Sequence, residues 1–498
     1  MIKEKLNCLK VWINENKIPI YIVFSMYSVL LYTIGVVQYP YIDDNARQIT
    51  GATNFWIHYS RFISEIVSWF LQGSRHLTDQ GVSNFLISGV ILSVASLIAM
   101  KVIFVEKKIP IIAAIISVFI GVNPWFLECL SFRFDSPFMS LSVFFGIFPY
   151  LFWNASKKIF YVISTISVLL LCNTYQASSG IFIIFAICLF FLEIIENRRI
   201  FDNINKAIIA AAAFVSGMIL YLFEMRLNPE LATRGNIVAI AKFRDLPSTL
   251  IKNTISYFNV IYNDSAKIWI VIMFILTILC LFIFTKNAKI NKLFAFVLTL
   301  IYFFIGFVFS YGVLLIFKDS LVAQSGRYGG YGFSVFVALT LISVLKFNDG
   351  KIFNIFLRFS IILFMYFQIE FDFGYSSMLA AQKNSFEIQS QILASDLKNV
   401  LTPERKNVYA NKFLKSSPIL LNSERNFPIL RKLVPMNENL YWPNQYWFNN
   451  LTGMYIELNP IPFDFSTFDE NGEGISKVAE NFYYTIYVNQ NQIFINMK

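Results

Sequence analysis

Histidine is almost missing from this chain, which carries only His58 and His76. An imidazole-based metal or catalytic cluster needs several such groups brought together, and two isolated ones give little basis for it. Cysteine is as thin: Cys8, Cys129, Cys172, Cys188 and Cys280 show no CxxC spacing, so neither a disulfide framework nor a zinc knuckle is indicated. No Walker loop, GxGxxG fingerprint, internal repeat or low-complexity linker occurs. Charge is scarce as well, at 14% of 498 residues.

Apolar residues fill the space, at 56% of the chain with 54 phenylalanines, far beyond what a soluble core uses. Crossing ~30 Å of hydrocarbon takes about twenty apolar residues in helical form. Such runs recur near residues 18–38, 83–104, 109–126, 137–153, 159–173, 179–195, 207–223, 267–285, 293–315, 332–346 and 352–370. The expected fold is therefore an all-α polytopic membrane protein with about 11 transmembrane helices. The first run follows "MIKEKLNCLKVWINENK" and lacks a small-residue cleavage site, so it reads as a retained span.

A net charge of +10 does not call for nucleic acid here, because the lysines and arginines collect in alternate short loops: "VEKK", "NASKK", "ENRRIFDNINK", "TKNAKINK" and "KFNDGK". Cytoplasmic loops carry such an excess. This places the N-terminus in the cytoplasm and, with an odd span count, residues 371–498 outside it as a small α/β domain after the 1–370 membrane region. Within that tail, "SSMLAAQKNSFEIQSQILASDLKNV" has helical apolar spacing, and "FYYTIYVNQNQIFINMK" reads as a closing hairpin about an Asn-rich turn.

The loops assigned to the outer face hold the unusual polar chemistry. "YIDDNARQITGATNFW" opens on Asp43 and Asp44 beside the first span. The plain reading is a helix start, with Asp44 as its cap and Asp43 complementing the dipole. The functional one makes Asp44 a general base toward an acceptor hydroxyl and Asp43 its partner or a metal ligand, with Asp135 of "FRFDS" in reserve. Arg133, Arg327, Arg47 and Arg61 are candidate phosphate ligands, since a guanidinium matches phosphate oxygens and keeps its charge; Arg75 is a further outer cation. Trp56, Tyr175 and Tyr328 are interfacial aromatics or sugar-stacking faces, and Gln176 offers donor and acceptor groups to hydroxyls. The metal question stays open, with Mg or Mn the candidates.

"YIDDNARQITG", "SRFISEIVSWFL", "LSFRFDSPFMSLS", "NTYQASSGIFI", "GRYGGYGF" and "FGYSSMLAAQKNSFE" follow one another in the chain. In that order the set resembles the Gtr serotype-converting glucosyltransferases of bacterial O-antigen (lipopolysaccharide) modification, of the GT-C class, over residues 1 to about 400. The family pattern Gly-Arg-Pro is replaced here by Ser60, Arg61 and Phe62. The resemblance implies transfer of glucose or another hexose from an undecaprenyl-phosphate carrier to a surface polysaccharide. The expected setting is the periplasmic face of a bacterial inner membrane, with inversion at the anomeric carbon. Membrane lipid is the expected partner and nucleic acid is not. The rival is a transporter or flippase of lipid-linked sugars, which ordinarily shows repeat halves and mid-span charge.

Overall fold

The computed structural model describes residues 2–105, 107–197, 200–230, 239–347, 351–402, 407–463, 474–489 and 491–498. Lipid offers no hydrogen bonds, so spanning segments must satisfy their backbone internally, and the apolar runs named above fold as helices, the run at 109–126 with a break at residues 121–123. The first stretch gives α1 (Ile2–Glu15), α2 (Lys17–Val37), α3 (Asp44–Thr50), α4 (Phe55–Tyr59), α5 (Phe62–Gln72) and α6 (Ser83–Phe104). Then come α7 (Ile111–Ser117), α8 (Pro124–Ser131), α9 (Ser136–Ile147), α10 (Lys157–Tyr175), α11 (Ser179–Ile195) and α12 (Ile200–Arg226). The series closes with α13 (Leu246–Asp264), α14 (Lys267–Asn287), α15 (Lys292–Ser310), α16 (Tyr331–Val344) and α17 (Lys351–Lys398). The protein is a mostly helical, polytopic membrane protein.

Among the described residues, 7 helices are long and apolar enough to cross a membrane, or 8 if one bent pair is a single span. The expectation of about eleven counted two shorter apolar helices, Ser136–Phe152 and Tyr331–Val344, and took Lys157–Ile195 as two spans. The bent pair, Ile111–Ile120 with Pro124–Ser131, turns by 59°. Proline has no N–H to continue a helix but suits its first turn, and Asn123 accepts the Phe126 N–H at 3.1 Å to start α8.

The chain forms two compact units. The larger comprises residues 1–36, 53–76 and 80–373. At its centre lies the α10–α11 stretch, 78% buried in its most apolar window, against 22% for Phe201–Arg226. Backbones meet closely where glycines allow it: a Cβ on Gly180 would lie 2.1 Å from the Ser310 carbonyl oxygen, and one on Gly332 2.0 Å from the same atom. These contacts fix α11, α15 and α16 around one point.

The smaller unit comprises residues 37–52, 77–79 and 374–498. Its five strands are β1 (Asn407–Ala410), β2 (Leu458–Pro460), β3 (Ser476–Glu480), β4 (Tyr484–Val488) and β5 (Gln492–Met497), in sheet order β2-β1-β5-β4-β3. β4 and β5 are the antiparallel hairpin read from the sequence, whereas β1 runs parallel to both its neighbours. Val408, Ile486, Ile493 and Ile495 are fully buried. Three short helices, α18 (Pro418–Ser423), α19 (Leu430–Leu433) and α20 (Trp442–Thr452), also belong to the unit. Phe386 of α17 stacks on Trp447 of α20 with ring centroids 4.0 Å apart.

Candidate functional site

In the larger unit the site begins with a buried carboxylate. Glu65 on α5 accepts the N–H groups of Phe55 at 2.8 Å and Trp56 at 3.2 Å, as well as the Thr53 hydroxyl. These N–H groups start α4 and have no partner within it. Glu65 therefore caps the start of a five-residue helix whose own N-cap residue, Asn54, makes no side-chain capping bond. Ser60 ends α4 at φ +50°, a left-handed conformation that favours glycine. This is the position where the family pattern has glycine. Asn228 Nδ2 donates to Ser60 Oγ at 2.9 Å and to the Trp56 carbonyl at 2.8 Å, securing the corner.

Arg61 follows directly. Its guanidinium lies over two rings, 5.0 Å from the centroid of Tyr59 and 4.8 Å from that of Tyr175. Among the described residues it has no carboxylate partner, and its Nε is buried without an acceptor. An aromatic face steadies a cation while leaving its in-plane N–H groups available. Tyr175 is positioned by the end of α10, where Asn173 accepts the Ile63 N–H at 3.3 Å and donates to Glu224 at 2.6 Å. Next to it, Gln176 donates to the Tyr221 hydroxyl at 2.6 Å.

The Tyr175 hydroxyl donates to the Arg327 carbonyl at 3.2 Å, which brings in the glycine-rich loop. Glu128, buried on α8, lies 2.5 and 2.6 Å from the Ser325 hydroxyl through its two oxygens. It also accepts the Arg327 N–H at 3.2 Å and pairs with Arg327 Nε at 3.7 Å. The Arg327 guanidinium rests over Phe132 at 4.5 Å and donates to the Tyr328 hydroxyl at 3.1 Å. Burial pushes this guanidinium's pKa down, but the oxygens of Tyr175 and Tyr328 and the Glu128 carboxylate outweigh that, and the group is held above its ordinary value. The loop glycines have a packing reason: a Cβ on Gly326 or Gly330 would lie 2.9 Å from the Trp125 ring, and Gly329 has φ +89°. Trp125 in turn donates to Asp264 at 3.3 Å.

The structure thus joins Arg61, Tyr175, Arg327 and Tyr328 in one cluster. Trp56 stands beside it on the same short segment as Arg61, half-buried and edge-on to Phe62 at 5.4 Å. Arg133 and Asp135 are both buried at the turn between α8 and α9. Asp135 takes the N-cap position of α9 without a side-chain capping bond, and Ser136 Oγ donates to the Arg133 carbonyl at 3.4 Å. Arg75 lies over Trp69 at 4.4 Å.

Asp43, Asp44 and Arg47 belong to the smaller unit. The N-cap of α3 is Asp43, whose side chain makes no capping bond, and Asp44 is fully buried with Oδ2 accepting the Tyr41 N–H at 3.2 Å. The doublet is anchored to the tail's own fold. Tyr41 donates to the Leu433 carbonyl at 2.7 Å, Asn450 donates to the Asn45 carbonyl at 3.0 Å, and Lys383 donates to the Val37 carbonyl at 3.0 Å. Tyr39 packs edge-on to Trp447 at 5.2 Å. Arg47, also buried, sits in the last turn of α3.

Sequence reasoning missed Glu128 and Glu65, although each left a signal: a lone carboxylate inside "PWFLECLS" or "FISEIVSWF" is costly unless it is paired. Among the described residues no group of three His, Cys, Asp or Glu side chains is arranged to hold a metal. No residue set is therefore assigned to Mg or Mn.

A helical bundle in which Arg61 rests on the ring of buried Tyr175, whose hydroxyl donates to the Arg327 carbonyl, defines the class: an integral membrane protein. The chain belongs to the glucosyl transferase GtrII family, which it matches over residues 32–345, more than half its length. A protein of Salmonella phage P22, described as an uncharacterized 55.3 kDa protein in the gtrB 5′ region, is 24% identical over 247 residues. That match covers 49% of this chain and 49% of the relative, so it spans about half the length of each. No solved structure matches the chain.

Proposed function

We propose that the protein moves glucose, or another hexose, from an undecaprenyl-phosphate carrier to a surface polysaccharide such as O-antigen, on the periplasmic face of a bacterial inner membrane. The observation that carries this reading is the Arg61–Tyr175–Arg327 cluster. Arg61 is a cation without a carboxylate partner among the described residues, and Arg327 is oriented by Glu128. A lipid-linked donor keeps its tail in the bilayer, so its phosphate needs fixed positive charge at the bundle. Charge-assisted bonds from guanidinium groups stabilise the phosphate as it departs. Arg133 and Arg47 are further candidates. Trp56, Tyr175 and Tyr328 supply ring faces for the sugar, and Gln176 supplies amide groups.

Displacement with inversion needs a base in hydrogen-bond reach of the acceptor hydroxyl. Asp44 is assigned that role, with Asp43 its partner and Asp135 the reserve; transfer by Asp44→Asn, Asp43→Asn and Asp135→Asn, taken singly, tests the three assignments. The orientation is supported by the basic loops, whose positive charge favours a cytoplasmic N-terminus, and by an odd number of crossings, which puts the C-terminal unit in the periplasm. Mass analysis of surface glycan from cells with and without the gene tests the proposal. The expected result is one added hexose per repeat, lost in Asp44→Asn. An unchanged glycan together with altered exposure of lipid-linked sugar would instead establish a flippase.

A further inference from the structure

We propose that a cavity between the starts of α10 and α12 binds the phosphodiester headgroup of an anionic membrane phospholipid. The cavity has a volume of about 340 Å³ and is lined by Trp153, Asn154, Lys157, Phe160, Asn203 and Lys206, among others. It lies at the basic-loop end of the bundle. Lys157 and Tyr175 are at opposite ends of α10, about 27 Å apart at 1.5 Å per residue. The cavity is therefore separate from the arginine cluster.

Its polar wall is built. Lys206 donates to Asn154 Oδ1 and to Glu193 Oε1, both at 2.8 Å, and Trp153 Nε1 donates to Glu193 at 3.1 Å. An ammonium has three N–H donors, so Lys206 retains one. Asn203 is 2% exposed, lines the cavity, and its Nδ2 has no acceptor. A buried amide without a partner is costly, and an acceptor oxygen in the cavity would remove that cost.

With Lys158 counted the charge fits a singly negative ligand, since Lys157, Lys158 and Lys206 stand against Asp202 and Glu193. Glu193 already neutralises Lys206, and Asp202 is exposed at the cavity's edge. The positive charge without a carboxylate partner among the described residues is that of Lys157. Next to it are Lys158 and the first N–H groups of a 19-residue helix, whose N-terminus favours anions. Ser156 Oγ accepts the Ile159 N–H at 3.4 Å.

The flanks fit acyl chains. Below the cavity, Ile159, Val162 and Ile166 of α10 and Ile208, Val215 and Ile219 of α12 are each about half-exposed. A headgroup at Lys157 places its chains along these faces, where a free phosphate would leave them uncovered. Basic pockets between membrane helices select anionic lipids by this combination.

The test uses the full-length protein in detergent, delipidated and offered phosphatidylglycerol, phosphatidylethanolamine or inorganic phosphate, with adducts read by native mass spectrometry. One phosphatidylglycerol is expected to be retained over phosphatidylethanolamine. Lys157→Glu is expected to cut that retention roughly fivefold or more, as removal of a lysine from a lipid surface does. Asn203→Leu should weaken it too; since Lys157 is exposed, Lys157→Glu decides the matter if Asn203→Leu does not fold. Undiminished retention in Lys157→Glu, equal retention of the two lipids, or displacement of lipid by inorganic phosphate would each overturn the proposal.

Discussion

The hydroxyl of Tyr175 donates to the main-chain carbonyl of Arg327 at 3.2 Å, while the same ring carries the Arg61 guanidinium 4.8 Å from its centroid. One side chain thus couples two cations that are far apart in sequence, by separate parts of its structure. Tyr175→Phe keeps the ring and removes one hydrogen bond, a loss of about 0.5–1.5 kcal/mol. Tyr175→Ala also removes the support under Arg61, about 0.5–2 kcal/mol more. Donor KM is expected to rise modestly in the first variant and more in the second. Equal effects would show that the ring does not hold Arg61.

Glu128 orders the loop that presents Arg327. Glu128→Gln preserves shape but leaves a half-buried guanidinium without its counter-charge; because Arg327 reaches solvent, the loss falls below the roughly 3–5 kcal/mol of breaking a fully buried pair. Thermal unfolding in detergent should fall accordingly, and Glu128→Gln combined with Arg327→Gln should recover part of the loss. Strict additivity of the two changes would mean that the pair is not coupled.

Ser60 holds φ +50° where glycine is at ease. Glycine there relieves roughly 1–2 kcal/mol of left-handed strain and forgoes the Asn228 bond, so Ser60→Gly should be tolerated. Ser60→Val should destabilise the fold, because a β-branched residue fits poorly at positive φ. If valine proves harmless in the same unfolding assay, the corner is not constrained as described.

Two glycines offer an internal contrast. Gly332→Ala places a Cβ 2.0 Å from the Ser310 carbonyl oxygen, a main-chain atom with little room to retreat, and little folded protein is expected. Gly374→Ala meets nothing within 4 Å on a helix and should stabilise by about 0.5–1 kcal/mol. Yield and melting temperature of the purified variants check both.

Hydropathy is local, which is why every membrane segment could be read directly from the chain while the number of crossings could not. The turn at Asn123–Pro124 and the shortness of Tyr331–Val344 depend on what packs around them. The terminal hairpin was visible in its alternating aromatics, but the parallel pairing of β1 with β2 and β5 left no such trace. Arg61, Tyr175 and Arg327 were readable as polar chemistry in the loops that alternate with the basic ones; their convergence depends on contacts spanning more than a hundred residues. The grouping of Tyr41 with Leu433 and of Asn45 with Asn450 is likewise silent in sequence. Glu128 went unnoticed because its neighbours are so apolar, although that same setting made an unpaired carboxylate unsustainable.

The central claim is that Arg61, held on the Tyr175 face, grips the donor's phosphate. Its most direct test is transfer of labelled glucose from polyprenyl-phosphate-glucose to acceptor glycan in vesicles containing the protein, comparing wild type with Arg61→Lys and Arg61→Ala. The account predicts transfer by wild type and a drop of about tenfold or more in kcat/KM for lysine as well as alanine, since an ammonium lacks the planar fork. Full transfer by both variants would contradict it.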